Sequence, residues 1–196
     1  MKEQTKWAVG DALKVPGLTG AEDLKALYLA AKALKPGACI VEVGSFKGRS
    51  TIALALGLRD SGNARARVYA VDPFEGELSP VQKVSPSFEE FLQNVRVAGV
   101  QEWIIPLRMA SKEAAAQWNG REIDLLWVDG WHIYPAPLED IRAWQPFLRP
   151  GGMLIMDDYY MPGVWRAIKE GIVDSPQFQA WWARRGLVFA VKRVDT

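Results

Sequence analysis

Cysteine and histidine are almost missing from this sequence. Its 196 residues contain one cysteine, Cys39, and one histidine, His132. A single cysteine excludes an intramolecular disulfide, and the two residues cannot build a His-rich or Cys-rich zinc site. Cys39 stands in an apolar stretch and is predicted to be a small buried core residue. The absence of disulfide pairing fits a reducing compartment, so we expect a cytoplasmic protein.

Excess charge and long apolar runs are missing as well. Lys plus Arg number 24 and Asp plus Glu number 23, which gives a net charge of +1. This balance provides no field to attract nucleic acid or an anionic membrane. No run approaches the roughly 20 apolar residues that span a bilayer, and the polar residues 1–6 precede no signal-peptide core. We therefore expect a soluble protein that binds a small molecule and neither nucleic acid nor a membrane.

The most informative segment that is present joins an apolar strand to a helix through two glycines. Residues 41–50 read Val-Glu-Val-Gly-Ser-Phe-Lys-Gly-Arg-Ser. The glycines are expected to let the backbone approach a ligand, and Glu42 adds a carboxylate suited to positive charge. Phe46 stands where a dinucleotide fingerprint has its second glycine, which disfavours NAD and FAD. The segment predicts a nucleotide-type cofactor site formed by Glu42, Gly44, Ser45, Phe46, Gly48 and Ser50.

Alternating strands and helices predict the fold. Apolar runs indicate strands at residues 39–43, 67–71, 103–109, 123–129 and 153–157. Helical periodicity indicates helices at residues 49–59, 87–98, 111–118 and 137–145, and another that starts at Pro162 and runs to about residue 173. Capping boxes at Thr19 and Ser87 mark two helix starts. The pattern predicts an α/β fold, a single-domain Rossmann-like three-layer sandwich with a mostly parallel sheet.

The two ends of the chain are predicted to differ from the middle. Residues 178–192 are interpreted as an antiparallel hairpin that completes the sheet, although Trp181 and Trp182 could instead extend a helix. These tryptophans near a sheet edge also raise the prospect of a homodimer. Residues 1–20 are interpreted as an N-terminal lid segment before a domain of residues 21–196. The Pro-rich segment 73–86 is expected to close over the site with them, or to be an ordinary surface loop.

Acidic residues follow the predicted strands, where ligands bind in open α/β sheets. Asp72 closes the second strand, in a position to accept hydrogen bonds from ribose hydroxyls or to cap a turn. Asp129, Asp157 and Asp158 follow two strands expected to be neighbours, and three like charges in one place favour a bound cation. Oxygen ligands point to Mg²⁺. In the alternative interpretation, Asp129 orients the cofactor and one of the other two acids caps a helix.

Four segments together resemble the class I S-adenosylmethionine-dependent methyltransferases. They are residues 42–48, 68–72, 123–130 and 148–158, and the resemblance extends from about residue 19 to the C-terminus. It implies S-adenosylmethionine as cofactor, with Asp72 and Pro73 near the ribose and Ala110 and Ser111 beside the adenine. Ser111 could also be a helix N-cap. Trp131 is expected to stack near the cofactor or substrate, or to be one of several covering tryptophans.

Residues 129–132 read Asp-Gly-Trp-His and narrow the resemblance. They are similar to the Asp-Gly-x-His of metal-dependent small-molecule O-methyltransferases, in the macrocin O-methyltransferase and cephalosporin-hydroxylase-like group. Trp131 departs from the acidic or polar residue usual there. The resemblance implies Mg²⁺-assisted methylation of a small-molecule hydroxyl, on a sugar or glycosylated metabolite, with Asp129 and His132 as catalytic residues. His132 would accept the hydroxyl proton, or be a loop histidine without a role.

Three other functions remain open for this sequence. The first is a metal-independent methyltransferase, which would be insensitive to chelators. The second is an NAD-type oxidoreductase, which Phe46 disfavours. The third is a protein that binds the cofactor without catalysis.

Overall fold

The computed structural model describes residues 9–76 and 85–194. Its strands are β1 Cys39–Val43, β2 Arg67–Val71, β3 Ile104–Leu107, β4 Ile123–Val128, β5 Leu148–Met156, β6 Phe178–Arg184 and β7 Leu187–Lys192. They form one sheet in the order β3-β2-β1-β4-β5-β7-β6. β1 to β5 are parallel, whereas β7 pairs antiparallel with both β5 and β6.

Helices cover both faces of this sheet. They are α1 Gly10–Leu13, α2 Ala21–Lys32, α3 Arg49–Asp60, α4 Phe88–Val97, α5 Ser111–Ala116, α6 Ala136–Trp144 and α7 Pro162–Ile168. Short 3₁₀ turns lie at Gln101–Trp103 and Gln145–Phe147, and a π-helical turn, Lys169–Val173, continues α7. None of the helices in the described ranges is long and apolar enough to cross a lipid bilayer.

Period-two alternation in the strands divides the core into two parts. Ile40 of β1 packs in a cluster with α2, α3 and α4, and Val41 packs in a second cluster with α5, α6 and α7. Successive strand residues point to opposite faces, so each central strand is buried on both sides. The predicted three-layer α/β fold with a C-terminal antiparallel hairpin is confirmed, and Trp181 and Trp182 lie in strand β6.

The predicted helix caps are wrong in their details. Gly20, not Thr19, is the N-cap of α2, because the Thr19 hydroxyl is hydrogen-bonded to Asp129 instead. Ser87 does precede α4, but its hydroxyl forms no cap bond. Ser111 is the first residue of α5, whose N-cap is Ala110. The chain around Thr19 is therefore anchored to the strand-end region and not to its own helix.

Candidate active site

The carboxyl ends of the central strands open into one cavity of about 950 Å³. Its wall includes most of the residues predicted from the sequence: Gly44, Ser45, Phe46, Ser50, Asp72, Pro73, Ala110, Ser111, Asp129, Trp131, His132, Asp157 and Asp158. The cavity spans the junction of β1 and β4, from which the chain order runs outward in opposite directions. Ligands of open α/β sheets bind at such a switch point.

Glu42 does not line this cavity. Its side chain is fully buried, and its carboxylate accepts hydrogen bonds from Ser45 Oγ at 2.8 Å, Ser50 Oγ at 2.6 Å and Thr51 Oγ1. Burial raises the pKa of Glu42 to about 7, against the effect of the three hydroxyls. Glu42 was expected to face a cationic ligand. Its carboxyl group is instead enclosed by hydroxyls of the turn and of α3 and does not border the cavity. Glu42 stabilises the glycine turn by binding Ser45 of the turn and Ser50 of α3 from the core side.

Both glycines of the turn are required by the backbone conformation and by packing within the protein. Gly44 and Gly48 both have φ of +90°, a left-handed conformation that disfavours residues with a side chain. A Cβ on Gly44 would lie 2.1 Å from the carbonyl oxygen of Asp129, and one on Gly48 would lie 3.0 Å from the ring of Phe91. Gly44 thus allows β1 and the chain after β4 to meet at the floor of the cavity. Gly48 lies outside the cavity wall, which differs from the predicted close approach to a ligand.

Asp72 serves as a turn cap and also lines the cavity. Asp72 Oδ2 accepts hydrogen bonds from the backbone N–H groups of Ser45 and Phe46 at 3.0 and 2.8 Å, and Oδ1 accepts one from Phe74 at 2.6 Å. Burial raises the pKa of Asp72, and these amides counteract the rise. A carboxylate has about four acceptor sites, so capacity remains for a hydroxyl of a ligand. The two interpretations of Asp72 are compatible.

Asp129, His132 and Asp158 converge at the opposite side of the cavity. One potential ligand atom from each lies within 4.8 Å of the other two. His132 Nε2 is 3.5 Å from Asp129 Oδ1 and 3.4 Å from Asp158 Oδ2. This nitrogen is buried and makes no well-aligned hydrogen bond among the described residues, although both carboxylates lie within ion-pair distance of it. Asp158 also has φ of +53° and accepts a hydrogen bond from Tyr160 Oη.

Asp157 lines the cavity as predicted but lies outside the group of mutually close ligand atoms. Its Oδ1 accepts the backbone N–H of Asp158 at 2.8 Å, and a Cβ on Gly186 in the β6–β7 turn would lie 3.3 Å from the same oxygen. Burial, followed by the charge of Asp129, raises the pKa of Asp157 to about 8. The residues with mutually close ligand atoms therefore include His132 in place of the predicted Asp157.

The charges in this group affect one another. Burial raises the pKa of Asp129, although His132 and Thr19 act against the rise. The adjacent Asp129 raises the pKa of His132, while partial burial lowers it. Carboxylates crowded around one buried nitrogen favour a bound proton or a bound cation. The donor set of two carboxylates and one imidazole fits a divalent metal.

Comparison with known proteins identifies the family. The family model described as a methyltransferase domain matches residues 41–159, which is more than half of the chain. The chain belongs to this methyltransferase family. The matched range of the methyltransferase domain begins in β1 and ends just after Asp158. It therefore contains the glycine turn and the acidic group, by which we mean Asp129, His132 and Asp158.

Solved structures share the fold of this methyltransferase domain. An O-methyltransferase from Bacillus cereus, in complex with S-adenosylhomocysteine, is 19% identical with a TM-score of 0.70, over 98% of this chain and 92% of that one. A Podospora anserina methyltransferase bound to S-adenosylhomocysteine is 15% identical, with a TM-score of 0.72 over 100% and 89%. TomG, an O-methyltransferase of tomaymycin synthesis from Streptomyces achromogenes, in complex with S-adenosylmethionine, is 18% identical with a TM-score of 0.70 over 98% and 90%.

Sequence reasoning missed one residue that positions the wall of the methyltransferase cavity. Arg49 Nε donates to the carbonyl of Val15 at 2.6 Å, and its Nη1 donates to the carbonyl of Thr19 at 3.1 Å. Gly17 and Leu18, between them, line the cavity. An arginine in the first turn of α3 opposes the helix dipole, which favours acids there, and this was the one signal of a specific partner. Its function depends on a segment that lies 30 to 34 residues earlier in the chain.

The predicted lids are only partly within the described ranges. Trp7 and residues 77–84, with Leu78 and Val81, lie outside them. Phe74 is fully buried and packs against Phe88 and Phe91 at ring-centroid distances of 5.1 and 4.9 Å. The segment after Asp72 is thereby anchored on α4, and its closure over the site stays a prediction.

Proposed function

We propose that this methyltransferase transfers the methyl group of S-adenosylmethionine to a hydroxyl of a small molecule, with Mg²⁺ and His132 assisting. The convergence of Asp129, His132 and Asp158 on the wall of the switch-point cavity carries the proposal. The cavity of about 950 Å³ has room for a nucleoside cofactor and an acceptor side by side. The cofactor complexes of the Bacillus cereus and Streptomyces achromogenes proteins support this choice of cofactor.

Asp129 and Asp158 are the proposed holders of the metal. Mg²⁺ prefers carboxylate oxygen to imidazole nitrogen, which leaves His132 free to handle a proton. When bound, Mg²⁺ would supply positive charge that lowers the pKa of an acceptor hydroxyl. A hydrogen bond from Thr19 orients the Asp129 carboxylate, and one from Tyr160 orients the Asp158 carboxylate. Both proposed metal ligands are therefore fixed by the protein.

His132 is the proposed general base. The acceptor oxygen attacks the methyl carbon, the carbon–sulfur bond breaks with its electron pair moving to sulfur, and the hydroxyl proton passes to His132 Nε2. Nε2 is buried at the cavity wall, within 3.5 Å of the Asp129 and Asp158 carboxylates. The thioether product is uncharged at sulfur, so Asp129 and Asp158 are left to balance the imidazolium.

The mouth of the cavity suggests the acceptor. Four large apolar side chains line it while remaining partly exposed, at 91% for Leu18, 37% for Trp131, 52% for Ile133 and 69% for Tyr160. Exposed apolar groups gathered in one place mark a binding surface. We propose a glycosylated metabolite whose sugar hydroxyl reaches His132 and whose apolar portion lies against these side chains.

The test is formation of S-adenosylhomocysteine from S-adenosylmethionine with a panel of hydroxylated acceptors, glycosides included, with Mg²⁺ or with EDTA. We expect EDTA and Asp158→Asn to abolish turnover, and His132→Ala to reduce it by about 10² to 10⁴. Asp174→Asn is the control, because Asp174 is exposed and paired with Lys169.

Each result separates the alternatives. EDTA-insensitive turnover would leave a metal-independent methyltransferase, and near-normal turnover by His132→Ala would remove the general base. Cofactor binding without turnover of any acceptor would favour a non-catalytic binding protein. A rise in melting temperature with NAD and not with S-adenosylmethionine would favour an oxidoreductase.

A further inference from the structure

The loop that carries His132 packs closely against the first turn of α7. It joins β4 to α6 and comprises residues 129–135. A Cβ on Gly163 of α7 would lie 2.5 Å from the carbonyl oxygen of His132 and 2.9 Å from the backbone nitrogen of Tyr134. Gly163 does not have a positive φ, so packing against the loop requires this glycine and backbone conformation does not.

A cluster of side chains joins the same loop to α7 at a second point. The guanidinium of Arg166 lies 3.8 Å from the ring centroid of Tyr134. Glu170 accepts hydrogen bonds from Arg166 Nε at 3.0 Å and from Tyr134 Oη at 3.3 Å. Gly163 and Arg166 are three residues apart, which puts them on one face of the helix. One face of α7 therefore supports the loop beneath His132 and again beneath Tyr134.

The N-terminal end of α7 is also tied to Asp158. The backbone N–H of Met161 donates to the carbonyl of Asp158 at 2.9 Å, and that of Trp165 donates to the carbonyl of Met161 at 2.8 Å. A short hydrogen-bonded turn thus connects Asp158 to the helix. Asp158 Oδ2 lies 3.4 Å from His132 Nε2. Because α7 contacts the backbone on both sides of this pair, the helix sets how far apart the two side chains lie.

α7 is itself held firmly in the core. Val164, Ala167 and Ile168 on its inner face are buried. In the π-helical turn that continues it, a Cβ on Gly171 would lie 3.0 to 3.1 Å from side-chain atoms of α6. The helix therefore has little room to move, and an added side chain at Gly163 would displace the loop. The His132 carbonyl oxygen would have to retreat by about 1 Å to reach an ordinary contact distance.

We propose that Gly163 is a positioning residue for His132, and that the stack of Arg166 on Tyr134 holds the loop on this support. The inference rests on the proposed function, in that His132 takes the hydroxyl proton of the acceptor. A general base acts only within hydrogen-bond reach of that proton. A misplacement of about 1 Å can lower the rate by about 10²-fold.

Gly163→Ala tests the proposal against a matched clash elsewhere. The control is Gly57→Ala, because a Cβ on Gly57 of α3 would lie 2.4 Å from the carbonyl oxygen of Tyr28 in α2, outside the cavity wall. Both variants press a methyl group on a backbone oxygen, so both should lower the melting temperature. Only Gly163→Ala should lower kcat, by about 10²-fold. Its KM for S-adenosylmethionine should stay near that of wild type, since the glycine turn and Asp72 are untouched.

Nuclear magnetic resonance supplies a readout that needs no turnover. His132 is the only histidine in the sequence, so protein without a histidine tag gives a single imidazole Cε1–H signal in a ¹H–¹³C spectrum. Its chemical shift depends on the charges around the ring, and so on the distances to Asp129 and Asp158. At one fixed pH, without metal or cofactor, the signal should move in Gly163→Ala and coincide with wild type in Gly57→Ala.

Arg166→Gln tests the second contact at an exposed position, where folding is not at risk. It removes the stack on Tyr134, and an exposed cation–π contact corresponds to about two- to fivefold in an equilibrium. The His132 signal should therefore move in the same direction as in Gly163→Ala, by a smaller amount. The control is Lys169→Gln, because Lys169 is paired with Asp174 and not with the loop. Its spectrum should match that of wild type.

The outcomes separate this inference from the function on which it rests. Equal kcat in Gly163→Ala and Gly57→Ala, each corrected for the folded fraction, or an unmoved His132 signal in Gly163→Ala, would overturn the role of Gly163 and leave the methyltransferase proposal intact. Near-normal turnover by His132→Ala would overturn both. If Gly163→Ala does not fold, the signal in Arg166→Gln decides: a shift absent from Lys169→Gln supports the proposal, and an unmoved signal overturns it.

Discussion

At the scale of single residues, Glu42 shows how a buried carboxyl group supports a binding turn. Its carboxyl group is out of contact with solvent and accepts hydrogen bonds from the hydroxyls of Ser45, Ser50 and Thr51. Two of these hydroxyls belong to α3 and one to the turn, so a single acid joins the end of β1 to both. The arrangement makes the shape of the cofactor turn depend on a residue that does not line the cavity.

The pKa of Glu42 gives a prediction on stability. Burial raises it from 4.5 to about 7, so between these values the folded protein retains a proton that the unfolded chain releases. The stabilisation is complete below about pH 4.5 and is lost as the pH rises through 7, by at most about 1.4 kcal/mol per pH unit. Glu42→Gln lacks this titration. We therefore expect the stability advantage of wild type over Glu42→Gln to shrink between about pH 5 and pH 8.

Urea unfolding of both proteins across this pH range measures that advantage. Comparing the two proteins removes the contribution of other raised carboxyl groups, such as Asp140 and Asp157. An advantage that stays constant, or that grows with pH, would show that Glu42 is ionised throughout. The glutamine preserves the size of the side chain, so packing changes are small.

At the scale of elements, the β1–α3 turn depends on close approach of two backbones. Gly44→Ala would combine the strain of φ +90° with a Cβ 2.1 Å from the Asp129 carbonyl oxygen. Gly62→Ala is the matched control, because Gly62 has φ of +74° and nothing within 4 Å of its Cβ position. We expect Gly62→Ala to cost about 1–2 kcal/mol, for backbone strain alone. Gly44→Ala should cost several times more, because a backbone must also move.

Thermal unfolding monitored by circular dichroism checks this difference. Similar melting temperatures for the two variants would mean that the turn can shift away from β4 at little cost. The measurement bears on the site as well, since any shift of the turn also displaces the Asp129 end of the acidic group.

The elements themselves were accessible to sequence reasoning, but their side-chain contacts were not. Apolar runs and glycine punctuation placed the central strands, and the strand-end rule brought Asp72, Asp129 and Asp158 to one cavity. Nothing in the spacing shows which oxygen a hydroxyl will take. Thr19 therefore looked like a cap, and Glu42 looked like a ligand contact. The spacing also does not show that His132, and not Asp157, lies within ligand distance of both Asp129 and Asp158, because that depends on side-chain direction at one turn.

Asp140 of α6, a buried acid that lines the cavity, carried a signal that was overlooked. It stands three residues after Pro137 and four before Trp144, which are both buried, so helical periodicity puts an acid on the apolar face. A charge at such a position points to a specific partner. The partner, Ser111, lies on another element and is visible only once the chain is folded.

At the scale of the whole molecule, the sheet ends in two edge strands among the described residues, β3 and β6, and β6 carries exposed tryptophans. β6 ends the strand order, and an edge strand presents free backbone groups to other chains. Trp181 and Trp182 on it are 42% and 43% exposed, and Trp165 of α7, beside Trp181, is 39% exposed. Trp165 and Trp181 are 6.3 Å apart at their ring centroids. Exposed tryptophans grouped at an edge favour association.

A homodimer through β6 is the prediction that follows. Antiparallel pairing about a twofold axis at Trp181 puts Trp181 opposite its own copy and Arg184 opposite Phe178 of the second copy, so no arginine faces another arginine. Light scattering at about 100 μM protein should show a dimer. A high protein concentration is chosen because a small interface associates weakly. Trp181→Arg should give a monomer, because it would bring two added charges close together at the axis.

Val97→Arg is the control for this prediction. Val97 is 78% exposed on α4, and the change should leave the molar mass measured by light scattering unchanged. A monomeric wild type at that concentration would contradict the prediction, and so would a dimer that Val97→Arg disrupts and Trp181→Arg leaves intact.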